Sequence, residues 1–120
     1  MWNNCLQNWK QIIYIEYSIY KHMLVKIHNA YRYVVAICDK EILGKKFEES
    51  NIVLDVRDNF FGGDEVDEKK LIEIIKDMQK EDATFNIIGE KSVSIALKCG
   101  LITKQGIKKV QNIPFALVLL

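Results

Sequence analysis

The sequence predicts a small single-domain α/β fold: a mixed sheet of about five strands with two to three helices packed on it. Three observations carry this reading. Tyr33-Val34-Val35-Ala36-Ile37-Cys38 is a nearly continuous apolar, β-branched run, which suits a strand buried on both faces at the centre of a sheet. Leu71, Ile74, Ile75 and Met78 recur at the 3.6-residue helical spacing, with Glu68, Lys69, Lys70, Glu73 and Lys76 on the other face. From there helix and strand alternate to the end of the chain, which implies parallel crossovers.

Taken in order, the chain first presents a stretch of odd composition. Only one of residues 1–22, Glu16, belongs to the five types whose codons begin with G (Gly, Ala, Val, Asp, Glu), against 35 of the remaining 98. Translated AT-rich upstream DNA would produce that contrast, so Met23 is the expected start, residues 1–22 an upstream extension, and residues 23–120 the domain. A membrane span fits poorly: the apolar run from Ile12 to Tyr20 is interrupted by Glu16 and is far shorter than the ~20 residues a bilayer requires. It also lacks the small-residue cleavage site of a secretory signal.

Leu24 to His28 reads as a strand, followed by an Asn29-Ala30 turn and the central strand. Between Asp39 and Ser50, Ile42, Leu43 and Phe47 fit one helical face but Gly44 sits among them, so a broken helix or ordered loop is expected. The organising stretch follows. Strand residues Asn51 to Val56 lead into Phe60-Phe61, then Gly62-Gly63, then Asp64-Glu65. The glycine pair is expected to supply φ > 0 conformations, with Asp64 or Asp67 capping the amphipathic helix. Phe85 to Ile88 is a short strand, Gly89 a turn, and Glu90 to Cys99 a helix burying Val93, Ala96 and Leu97 and stopped by Gly100. Thr103 caps a last helical piece containing Ile107 and Val110, and Pro114 opens a final strand, Phe115 to Leu120.

Seventeen basic against sixteen acidic residues leave no global electrostatic footprint for DNA or an anionic membrane, so polyanion binding would need a local patch. Cys5, Cys38 and Cys99 are too scattered for a disulfide framework or a zinc knuckle, which points to a reducing cytoplasm.

Several groups of residues are candidates for chemistry. Cys38 and Asp39 end a buried strand, and His28 is a conceivable partner for a thiol nucleophile, although cysteine is more often simply buried. Asp39, Glu41, Asp55, Asp58, Asp64 and Glu65 have no spacing that demands a metal, and turn or cap roles suit Asp58 and Asp64 better. An inward Asp55 would need Arg57 or Arg32 beside it. Gly89-Glu90-Lys91-Ser92 opens a helix after a strand, but it lacks the first glycine of a P-loop and Glu90 repels anions. Lys98, Lys104, Lys108 and Lys109, with Lys45 and Lys46, form a candidate basic stripe, and Tyr31, Arg32 and Tyr33 a candidate stacking surface. Ordinary solvated lysines are the plainer account of that stripe. One of Phe60 and Phe61 is expected to point outward.

The ordered set Val34-Val35-Ala36-Ile37-Cys38-Asp39, Leu43-Gly44-Lys45-Lys46-Phe47, Leu54-Asp55-Val56, Phe60-Phe61-Gly62-Gly63, Asn86-Ile87-Ile88-Gly89 and Ala96 to Ile102 resembles a family of small, mainly archaeal proteins catalogued as domain of unknown function 424. The resemblance implies a fold, a lineage and a cytoplasmic setting, not a mechanism. The acid that follows the glycine pair in the family is kept as Asp64, whereas Phe115-Ala116-Leu117 replaces a polar, His-containing ending.

The leading expectation is a non-catalytic binding module working with RNA or a ribonucleoprotein in translation or related information processing. Its candidate binding residues are Lys45, Lys46, Phe61, Gly62, Gly63, Asp64, Gly89, Lys104, Lys108 and Lys109. No cofactor, metal, DNA or membrane partner is predicted. The alternatives are a small enzyme or metabolite-binding protein using a crevice near Cys38, Asp39, Asp64 and Gly89, and a protein-interaction or homodimer module acting through Phe60-Phe61 and the last strand.

Overall fold

The computed structural model describes residues 23–119, so the expected upstream extension, residues 1–22, lies outside the described residues. Six strands form one mixed sheet in the order β5-β1-β2-β6-β8-β7, built from β1 (Met23–Asn29), β2 (Tyr33–Asp39), β5 (Asp64–Val66), β6 (Thr84–Ile88), β7 (Lys108–Val110) and β8 (Ile113–Val118). A separate hairpin of β3 (Lys46–Glu49) and β4 (Ile52–Asp55) covers part of one face. The helices are α1 (Asp58–Phe61), α2 (Glu68–Lys80) and α3 (Glu90–Lys98).

β2 takes the central place its composition predicts, antiparallel to β1 and parallel to β6. Its side chains alternate between two apolar layers. Val35 and Ile37 join Leu71, Ile75, Phe85, Ile87 and Val93 under α2 and α3, while Ala36 and Cys38 join Leu54, Val56, Phe61 and Ile88 under the hairpin and α1. α2 starts at Asp67, whose carboxylate accepts from the Lys70 N–H at 2.8 Å, and buries Leu71, Ile75 and Met78 as the periodicity requires.

Several local expectations are corrected. Residues 39–50 are not a broken helix: a single 3-10 turn, Lys40–Ile42, gives way to β3, which pairs with β4 across the left-handed Ser50. Asp58–Phe61 forms one helical turn after β4, and Asp64 lies in β5 rather than at a helix start. Neither Gly62 nor Gly63 has positive φ. They are needed for close approach instead, since a Cβ on Gly62 would meet the Asp58 carbonyl and one on Gly63 would meet the Val25 carbonyl and Lys26 Cα of β1. Finally, only a 3-10 turn, Lys104–Gly106, follows Thr103, and Lys108–Val110 is the edge strand β7. The reason is the tight turn beyond it: Gln111 and Asn112 both have positive φ (50° and 66°), the conformation that joins twisted antiparallel strands. That hairpin also reverses the last strand, so β8 runs antiparallel to β6 and the only parallel pair among the described residues is β2–β6.

Candidate functional site

The C-terminal end of β2 meets the N-terminus of α3, where an α/β sheet commonly receives an anion. Here the chain supplies its own. Asp39 is 3% exposed, and its carboxylate accepts from the Lys91 N–H (3.0 Å), the Ser92 N–H (2.8 Å) and the Ser92 hydroxyl (2.8 Å). Gly89, at φ 115°, is buried directly against it, and a Cβ there would collide with the carboxylate. Burial pushes the Asp39 carboxyl above its usual 3.8; the hydrogen bonds from Lys91 and Ser92 oppose this, and nearby Glu41 adds to it. Gly89 and Asp39 thus form a structural clasp holding helix to sheet, not an open phosphate cradle.

Cys38 is fully buried, and burial, reinforced by Asp39 and Glu41, pushes its thiol up to about 12. A thiol so protonated is no nucleophile near neutral pH. In the folded protein a thiol reagent at pH 8 is expected to modify half-buried Cys99 and spare Cys38; peptide mass mapping that found Cys38 modified equally fast would contradict this. His28, the suggested partner, is engaged elsewhere: its Nε2 lies 2.9 Å from the Phe60 carbonyl, and its ring stacks on Phe60 at 4.7 Å. Asp64 lies on β5, two strands away from β2, so the crevice imagined for Cys38, Asp39, Asp64 and Gly89 is not assembled. Among the described residues no cluster of three His, Cys, Asp or Glu side chains is placed to hold a metal ion. Asp55 does not turn inward: its carboxylate accepts from Arg57 Nε at 2.8 Å at the surface, with the two side chains 37% and 69% exposed.

The structure does bring Phe60, Phe61 and the last strand together. They line a groove of about 330 Å³ between β4 and α1 on one side and β6 and β8 on the other. Phe61 is buried and Phe60 half-buried, packed edge to face at 5.0 Å, so the pair anchors the groove wall. Asn86 and Leu117, opposite each other across β6–β8, lie in it. Its rim is apolar and open: Ile52 is 40% exposed, Val53 52% and Leu117 56%.

The lysines behave differently from one another. Lys46 pairs with Glu48, Lys91 with Glu41 and Lys98 with Glu68. Lys104, Lys108 and Lys109 are exposed at or beside β7, and Lys45 is exposed ahead of β3. The exposed aromatic turn is remote from β7. Tyr31 and Arg32 precede β2, whereas Lys108 aligns through Phe115 and Ile88 with Cys38, near the other end of that strand. A charge signal in the sequence marks the lysine region: residues 91–120 contain Lys91, Lys98, Lys104, Lys108 and Lys109 and no acid at all.

The family described as Protein of unknown function (DUF424) matches residues 27–120. The chain belongs to this family. A solved structure with the DUF424 chain's fold is an uncharacterised conserved protein from Methanopyrus kandleri, 22% identical, with a TM-score of 0.70 over 80% of this chain and 89% of that one. At that identity the likeness concerns the fold. No curated protein matches this DUF424 sequence. No helix among its described residues is long and apolar enough to cross a membrane.

Proposed function

We propose that this DUF424 protein is a non-catalytic binding module that meets the RNA backbone of a ribonucleoprotein through Lys104, Lys108 and Lys109. The observation that supports the reading is the acid-free segment from Lys91 to Leu120, whose three lysines at and beside β7 are exposed. Clustered cations are what a phosphate backbone requires, because each contact releases condensed counterions; the acids nearby come from another element, β3, whose Glu49 accepts from the Gln111 N–H at 3.0 Å just beyond β7. The inward-turned Cys38 and the hydrogen-bonded Asp39 fit a module without a reaction at this end of the sheet.

Titrating a labelled single-stranded RNA tests it. Three phosphate contacts give a slope of log affinity against log salt of about −2, and replacing Lys108 and Lys109 together by Glu weakens binding at least about tenfold. A second reading, a protein-interaction module, draws on the groove that joins Phe60, Phe61 and Leu117. Indifference to salt and to the double lysine change, with a protein partner lost on Leu117→Asp, would replace the RNA reading by that one.

A further inference from the structure

The β3–β4 hairpin holds to the rest of the molecule by little. It shares no ladder with the six-stranded sheet. Of residues 46–55 only Leu54 is buried, and only Phe47 and Asp55 are half-buried. A two-stranded hairpin is marginal by itself in water, and segments with few buried apolar contacts open at a lower free energy than the whole fold. Leu54 and Phe47 therefore supply most of its grip on the apolar layer beneath, which contains Ala36, Cys38, Phe61 and Ile88.

The two ends of the hairpin are fixed differently. At the base, the Gly44 N–H donates to the Val56 carbonyl (2.7 Å) and the Val56 N–H to the Lys45 carbonyl (2.9 Å). Gly44 has φ 83° and open space where a Cβ would stand, so no side chain there resists a change of angle. At the tip a single residue makes the connection. Gln111 Nε2 donates to the Glu48 carbonyl at 2.7 Å, and the Gln111 N–H donates to the Glu49 carboxylate at 3.0 Å. Among the described residues no other hydrogen bond ties residues 48–52 to the six-stranded sheet. Gln111 makes both bonds from φ 50°, a conformation uncommon for a residue other than glycine, and that conformation holds its two donors towards β3.

We infer that the β3–β4 hairpin is a flap that opens as a unit about its base and is latched shut by Gln111. Opening withdraws Ile52, Val53, Leu54 and Asp55 from the groove they form with β6 and β8, and it uncovers Cys38. Access to this apolar layer is thus set by the β7–β8 turn, on the far side of the hairpin from its base. The latch needs no ligand on Lys104, Lys108 or Lys109, so the inference stands or falls independently of RNA binding.

Cys38 is a built-in reporter, because it is fully buried in the layer under the hairpin. Its rate of labelling by a thiol reagent, resolved from the other cysteines by peptide mass mapping, is measured on the whole chain together with amide hydrogen exchange at residues 46–55. Gln111→Gly keeps the left-handed turn and removes the bond to Glu48, whereas Glu49→Ala removes the acceptor of the Gln111 N–H. Each is expected to speed both Cys38 labelling and hairpin exchange by about threefold or more, the effect of one lost hydrogen bond, with exchange in α2 unchanged. The urea midpoint of Gln111→Gly stays close to that of the wild type, since glycine relieves the left-handed conformation. Asn112→Gly eases the same turn, at φ 66°, without touching the latch, and leaves Cys38 labelling at the wild-type rate. Equal labelling in all four chains, an equal acceleration by Asn112→Gly, or faster exchange that spreads through α2 would each overturn the inference.

Discussion

Asp39→Ala lowers the unfolding free energy by about 3 kcal/mol in urea denaturation, because each buried donor left without its acceptor costs about 1–3 kcal/mol. Three donors lose their acceptor at once: the Lys91 N–H, the Ser92 N–H and the Ser92 hydroxyl, and Ser92 is fully buried. Asp39→Asn separates charge from geometry. Its amide oxygen can still serve Ser92, so only the bond from Lys91 is lost, and about 1 kcal/mol is expected. The pH dependence has a definite sign. Burial raises the folded-state pKa above the ordinary 3.8, so the folded chain holds this proton where the unfolded chain has released it. The stability contributed by this group therefore falls as pH rises from the ordinary value through the raised one, and Asp39→Asn removes that part of the slope. Equal stability of wild type, Ala and Asn variants would show that the clasp does not anchor α3.

The second large effect belongs to Gly63. Its Cβ position is occupied by the backbone of β1, at the Val25 carbonyl and Lys26 Cα, and backbone cannot swing aside as a flexible side chain can. Gly63→Ala is expected to cost about 3 kcal/mol, the upper part of the usual overpacking range. Gly106→Ala is the control: the nearest atom to its Cβ position is Thr103 Oγ1 at 3.9 Å, and its φ is not positive. The two thermal midpoints should therefore differ clearly, and a Gly63→Ala chain as stable as Gly106→Ala would mean that β5 does not pack against β1 as described.

The elements that the sequence made legible are those decided by burial along their whole length. β2 is apolar on both faces because it has neighbours on both sides and layers above and below, and α2 repeats its buried positions over three turns. The elements that were missed are short and set by partners distant in the chain. β3 is held by pairing with β4, α1 by packing of Phe61 beneath it, and β7 by a turn whose first residue, Gln111, is an uncommon choice for positive φ. Gly62-Gly63 carried the right signal with the wrong cause: the sequence marks a backbone constraint, but conformational freedom and lack of space look alike until the neighbouring strand is known. At the candidate site, Phe60, Phe61 and the last strand line one groove, and they stand out in the sequence because large apolar residues at polar boundaries do. The role of Asp39 was hidden because its partners lie more than fifty residues away.

The strand order has a consequence for how the molecule can be made or cut. β5, β1 and β2 come from residues 23–66 and β6, β8 and β7 from residues 84–118, so the β2–β6 seam divides the sheet by origin. During synthesis Val35, Ala36, Ile37 and Cys38 have no covering strand on one side until Ile88 has left the ribosome. A nascent or truncated chain ending before β6 therefore displays an apolar, unprotected strand edge of the kind that seeds aggregation.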